Sequence, residues 1–168
     1  MNPVPRTAAV LMDRLFTKTS SGDDWVKWAI EMLQAGYETE SLLILAAESP
    51  PYNGFELDDL TTKVLHDLKL DYSDKHLVVK NYVSYLISEA LQGRIEVLKA
   101  LRKLRDLCIE LDYESSLMDF YLLYYAKEDL LVDNVQWYWN DADRSNIDEI
   151  IINRFKRWIE GNQVDMKL

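Results

Sequence analysis

Residues 94–110 read RIEVLKALRKLRDLCIE, and this stretch decides the fold class. Val97, Ala100, Leu101, Leu104, Leu107 and Cys108, with Leu111 just beyond, follow the i, i+3, i+4, i+7 spacing. That spacing gathers side chains on one third of a helical wheel. Arg94, Lys99, Arg102, Lys103 and Arg105 fall on the opposite side. An amphipathic helix with a basic outer face is the reading.

The same period recurs on both sides of this helix. Trp25, Trp28, Ala29, Met32 and Leu33 form an apolar stripe, and Gly36 stands where a helix-ending glycine belongs. Upstream, Thr7 is expected to cap a first helix running to about Lys18, closed by Thr-Ser-Ser-Gly. A short apolar helix from Glu40 to Ala47 stops at Pro50-Pro51, and Asn53 with Glu56 forms a capping pair for the next, striped by Leu57, Leu60, Val64, Leu65 and Leu68. Residues 73–93, capped by Ser73, are rich in β-branched residues, but their length selects a helix over a strand. Its apolar residues lie on most sides, as do those of the next expected helix, Glu114 to Lys127, so both read as central. Residues 130–145 show no clear period. A last helix carries Ile147, Ile150, Ile151, Phe155, Trp158 and Ile159, with Asn146–Glu149 or Ser145–Asp148 as its cap and Gly161 as its end.

These elements predict an all-α protein: a single-domain bundle, or a short irregular solenoid, of about seven helices built from helical hairpins. Residues 1–6 and 162–168 read as frayed tails. A chain of 168 residues with 48% hydrophobic and 29% charged content builds a core and is no candidate for disorder. Five glycines and four prolines are too few for a protein made of tight β-turns. After the opening prolines only Ala8 to Met12 are apolar, too short for a signal-peptide core, and the longest charge-free run is Asn81 to Ser88. The expectation is a cytoplasmic protein without a membrane span.

Searches for chemistry return little. The five isolated glycines build neither a phosphate loop nor a dinucleotide fingerprint. His66 and His76 have no carboxylate or second histidine one helical turn away, so no helix-borne metal site is expected. Cys108 is the single cysteine, which rules out an internal disulfide and a cysteine-based zinc site; it reads as a small buried hydrophobe. Asp141, Asp143 and Ser145 fit the first ligand positions of a calcium loop, but Asn146 stands where glycine is needed and Ile152 where a bidentate glutamate is needed. No cofactor is expected.

Charge is the more informative property. The net charge is −10, and residues 110–149 hold eleven acids against two bases together with eight of the nineteen aromatics. No aromatics interleave with the bases of the face at 94–105, which reads as a solvated face pairing with neighbouring acids. An acidic protein repels nucleic acid and anionic membranes and attracts basic partners. Trp137-Tyr138-Trp139 lies in the aperiodic stretch beside Asp133, Asp141 and Asp143. Two readings stay open there: rings folded back as a lid on the core, or aromatic anchors in an interface that the carboxylates steer. The six residues Asp133, Trp137, Tyr138, Trp139, Asp141 and Asp143 are the candidate partner-binding set.

The run from Trp28-Ala29-Ile30 to Ala35-Gly36, then Ser41-Leu42 to Ala46-Ala47 and Asn53, resembles a small helical family of bacterial proteins. So does Trp137-Tyr138-Trp139 through Asn146-Ile147-Asp148-Glu149-Ile150. The resemblance implies a bacterial origin and no activity or functional residues. The expectation for function is a non-catalytic binding protein, most concretely an immunity-type inhibitor of a basic toxin such as a nuclease. A helical scaffold in a complex is the second reading, and a hydrolase built on Asp141, Asp143 and Glu149 the third.

Overall fold

A computed structural model describes residues 2–16 and 19–162. It holds eight α-helices and no strand among the described residues: α1 (Thr7–Leu15), α2 (Gly22–Gln34), α3 (Glu40–Ala47), α4 (Gly54–Asp67), α5 (Lys75–Leu91), α6 (Val97–Glu110), α7 (Met118–Val132) and α8 (Ile147–Gly161). A 3-10 turn, Ser115–Leu117, leads into α7. Among the described residues no helix is long and apolar enough to cross a membrane. The described residues divide into two compact units, those up to Tyr85 and those from Leu86 onward, with the boundary inside α5.

In the first unit, Thr7 to Met12 of α1 are all buried, and Trp28 and Met32 of α2 are completely buried. Trp28 donates its indole N–H to the Thr7 hydroxyl at 2.9 Å, which satisfies two polar groups that burial would otherwise strand. Thr7 is therefore the first residue of α1 and a core contact rather than its cap. Arg6, just before it, ion-pairs with Glu31 at 3.2 Å. Trp25 meets Trp28 edge to face, with centroids 5.5 Å apart. Leu42 and Leu45 of α3 and Val64 and Leu65 of α4 complete this core. Helix α1 ends at Leu15, and its expected end near Lys18 lies outside the described residues, as do residues 163–168 of the expected tail.

The second unit is built on α6 and α7. The expected stripe of α6 is buried: Ala100, Leu101, Leu104, Leu107 and Cys108 all face inward. The helix begins at Val97, three residues later than Arg94, because the Gly93 turn reverses the chain first: φ is +74° there, and the Arg94 N–H reaches back to the Glu89 carbonyl. On α7 and α8, Phe120 packs against Phe155 and Trp158 with centroids 5.8 and 5.7 Å apart. Arg154 lies over the Phe120 ring and bonds Asp119 at 2.8 Å, covering that cluster with a paired charge.

Several helix boundaries differ from the sequence expectation, each for a local reason. Asp74, not Ser73, caps α5: its carboxylate accepts from the Leu77 N–H, while Ser73 donates to Asp71. Ser21 and Asp24 form a reciprocal capping box at the start of α2. Helix α7 runs on to Val132, five residues beyond Lys127.

Besides α5 with its Gly93 turn, three helices end in the same backbone motif with different residues in the left-handed position. Gly36 follows α2 (φ +95°), Lys69 follows α4 (φ +55°) and Asp112 follows α6 (φ +56°). In each, the next residue's N–H bonds a carbonyl five residues back: Tyr37 to Met32, Leu70 to Leu65 and Tyr113 to Cys108. A side chain at that φ costs about 1–2 kcal/mol, part of which glycine returns as unfolded-state entropy. Lys69→Gly should therefore raise stability by about 0.5–1 kcal/mol in urea unfolding, and Gly36→Ala should lower it by about 1 kcal/mol. Equal or opposite shifts would show that these turns are not held as described.

Candidate functional site

The candidate site grows from the end of α7. Leu130 is buried, but Leu131 and Val132 in the same last turn face solvent, Val132 with 85% of its surface exposed. Apolar residues surround α7, so packing one side leaves the other uncovered. The helix stops where the Asp133 N–H bonds the Asp129 carbonyl. Residues 133–146 then run without regular structure to α8.

One side chain shapes that segment. Gln136 accepts hydrogen bonds from the Tyr138 and Trp139 N–H groups, both at 2.8 Å, and donates to the Trp139 and Ala142 carbonyls. A single amide thus satisfies four backbone groups, the accounting a helix or strand would otherwise provide. Arg144 donates to the Leu130 carbonyl at 2.7 Å and ties the far side of the segment to α7. Asp141 takes the left-handed conformation at φ +64°, and its carbonyl accepts from the Asn146 amide.

Asp143 closes the segment. Its Oδ1 accepts from the Ser145 hydroxyl, the Ser145 N–H and the Asn146 N–H, while the Asp143 N–H donates back to Asn146 Oδ1. The Ile147 N–H then bonds the Asp143 carbonyl. Asp143 therefore caps the turn 143–147 that leads into α8, while Asn146, at the N-cap of α8 itself, makes no side-chain cap bond. The Ser145 hydroxyl first, and then the two N–H groups, hold the Asp143 carboxyl below the usual carboxylate range.

The three rings separate. Tyr138 lies against Tyr125 of α7, centroids 5.4 Å apart and tilted 31°. Trp139 is half-buried, its backbone held by Gln136. Trp137 is 90% exposed. Tyr138 rests on Tyr125 with 42% of its surface still exposed, and Trp137 points out. Asp133, Asp141 and Asp143 are all exposed. Asp141 has no side-chain hydrogen bond or ion pair among the described residues.

Sequence reasoning missed three groups. Leu131, Val132 and Val135 add exposed apolar surface to the same stretch of chain as Trp137. Gln136 carries no signal that distinguishes it from a solvated polar residue. The third group is the tyrosine series: Tyr113–Tyr121, Tyr121–Tyr125 and Tyr125–Tyr138 stand 5.6, 5.0 and 5.4 Å apart. Arg105 of α6 lies 4.3 Å from the Tyr124 ring centre and donates to the Tyr125 hydroxyl at 3.1 Å, while Arg102 donates to the Tyr124 hydroxyl at 3.3 Å. The basic face of α6 is therefore interleaved with aromatics after all, supplied by α7. Arg105 also pairs with Asp106, and Arg94, before the helix, pairs with Glu89, both at 2.6 Å.

Elsewhere, His66 and His76 are exposed, and Cys108 is fully buried with its thiol pKa pushed up by burial and then by Glu114. Glu149, the third member of the hydrolase reading, is exposed at the start of α8. No protein-family model, curated protein or solved structure matches the chain.

Gln136 gives the site a direct test. In Gln136→Ala the N–H groups of Tyr138 and Trp139 lose their acceptor, so their hydrogen exchange should accelerate by about tenfold or more. The helical circular dichroism should not change. Unaltered exchange at both amides would mean that another group holds the segment.

Proposed function

We propose that this chain is a non-catalytic protein-binding protein that docks a basic partner on residues 131–143. The observation that carries the reading is Trp137, 90% exposed on a segment whose backbone is fixed by Gln136 and Arg144. A large ring held in water by an ordered backbone loses little conformational entropy on binding, which is the property of an interface anchor. Val132 and Val135 extend the apolar surface, and Asp133 and Asp141 offer exposed carboxylates along it. Charge steers the encounter and burial of the indole slows dissociation.

The finer reading is an immunity-type inhibitor, acting in the cytoplasm on a basic toxin such as a nuclease. It is supported by the concentration of eleven acids against two bases in residues 110–149. A nuclease that grips phosphates presents lysines and arginines, and an acidic surface competes for the same groups. On this account Trp137 anchors, Asp133 and Asp141 meet the partner's cations, and Asp143 contributes its free Oδ2 while its Oδ1 holds the turn. The hydrolase reading has less behind it. A general acid needs a raised pKa, and Asp143 is shifted the other way.

The test uses the partner recovered by pull-down from the native host, then purified. Trp137→Ala should weaken its affinity by about tenfold or more with an unchanged melting temperature. The double variant Asp133→Asn, Asp141→Asn should slow association at low ionic strength and match the parent at high salt. Affinity that is indifferent to Trp137 sinks the site assignment. Salt-independent association, with Trp137 still required, turns the reading toward a scaffold that docks by apolar contact.

A further inference from the structure

The first unit carries a second feature, independent of the acidic segment. A cleft of about 410 Å³ opens between the end of α1 and the starts of α2 and α4. That volume lies in the range of small-molecule sites. Asp13, Asp58, the exposed Phe55 and the almost wholly buried Trp25 line it, together with Gly22 and Gly54.

The wall is built rather than incidental. Asp13 is fixed from two directions: Oδ1 accepts from the Ser20 N–H at 3.1 Å and Oδ2 from the Trp25 indole N–H at 2.9 Å. Tyr52 presses its ring onto Gly22 so closely that a Cβ there would stand 2.5 Å from it, and its hydroxyl donates to Asp23. The start of α4 is thereby held against the start of α2. Phe55, one residue into α4, is 88% exposed at this cleft. The Asp58 carboxylate has no hydrogen bond or ion pair among the described residues.

The sign of the ligand follows from the charges. Two helix starts and Arg14 would favour an anion. The helix starts, however, are already capped by Ser21 and Asp24 and by Asn53. Arg14 lies over the Trp25 ring with its Nη2 turned to the Thr61 hydroxyl and the Asp58 carbonyl. Against that guanidinium, whose Nε is buried without a partner, stand two carboxylates among the described residues of the cleft wall. We propose that the cleft binds a small organic cation: a primary ammonium or guanidinium joined to an aromatic or branched apolar group. The cation meets Asp58 and Asp13, and the apolar body lies along the exposed Phe55 ring.

The experiment titrates the protein with phenethylammonium and follows the Trp25 indole N–H in proton–nitrogen correlation spectra. Phenylacetate and 2-phenylethanol serve as the anionic and neutral counterparts of the same size. Phenethylammonium should give a saturable shift, 2-phenylethanol should bind about tenfold more weakly or worse, and phenylacetate should not bind. Asp58→Asn, at an exposed position, should weaken phenethylammonium by about tenfold. Gly54→Leu, where an added Cβ meets nothing within 4 Å, should block the cleft while circular dichroism shows the fold intact. No saturable shift with any probe overturns the proposal. So does equal binding of all three, or an Asp58→Asn variant that binds like the parent.

Discussion

The contact between Arg105 and the paired tyrosines of α7 is the interaction on which the second unit's surface depends. The guanidinium lies 4.3 Å from the Tyr124 ring centre and 5.5 Å from that of Tyr125, and it bonds the Tyr125 hydroxyl. Each such cation–π contact contributes about 0.5–2 kcal/mol, and the edge contacts among the rings about 0.5–1.5 kcal/mol each. Those magnitudes are small beside burial of the α6 stripe, which drives the helices together. Their effect is directional: they fix the rotation of Tyr125, and Tyr138 rests on Tyr125. Tyr138 is placed on one side, Gln136 holds the backbone, and Trp137 faces water.

What was legible in the sequence follows the range of each interaction. The α6 stripe was plain because a one-sided helix writes its burial into a local period. The end of α7 was not, since apolar residues encircle it and no period marks where Leu130 turns inward and Val132 outward. Arg105 and Tyr125 are twenty residues apart, and their pairing is a fact of helix packing that no local pattern carries. The caps show the same limit on a smaller scale. Asp74 and Asp143 each stood beside an equally good candidate, and hydrogen-bond geometry alone chose between them.

Within the candidate site the six residues named from sequence divide by physical role, with Trp139 half-buried and its N–H held by Gln136. Asp143 and Tyr138 hold the segment in place through a cap and a ring contact. Trp137, Asp133 and Asp141 face water. Composition singled out this stretch, since acids and aromatics concentrate there, but it could not separate the residues that hold its backbone from those that face water. The residue that does most to shape it, Gln136, has an unremarkable side chain whose role appears only when its four backbone partners are located.

The account rests on residues 136–143 being ordered before any partner arrives. Backbone ¹⁵N relaxation of the free protein measures this directly. The account predicts order parameters for this segment near those of the flanking helices, about 0.85, despite its lack of regular structure. Values below about 0.6 would contradict it, because Trp137 would then belong to a mobile loop rather than a preformed anchor.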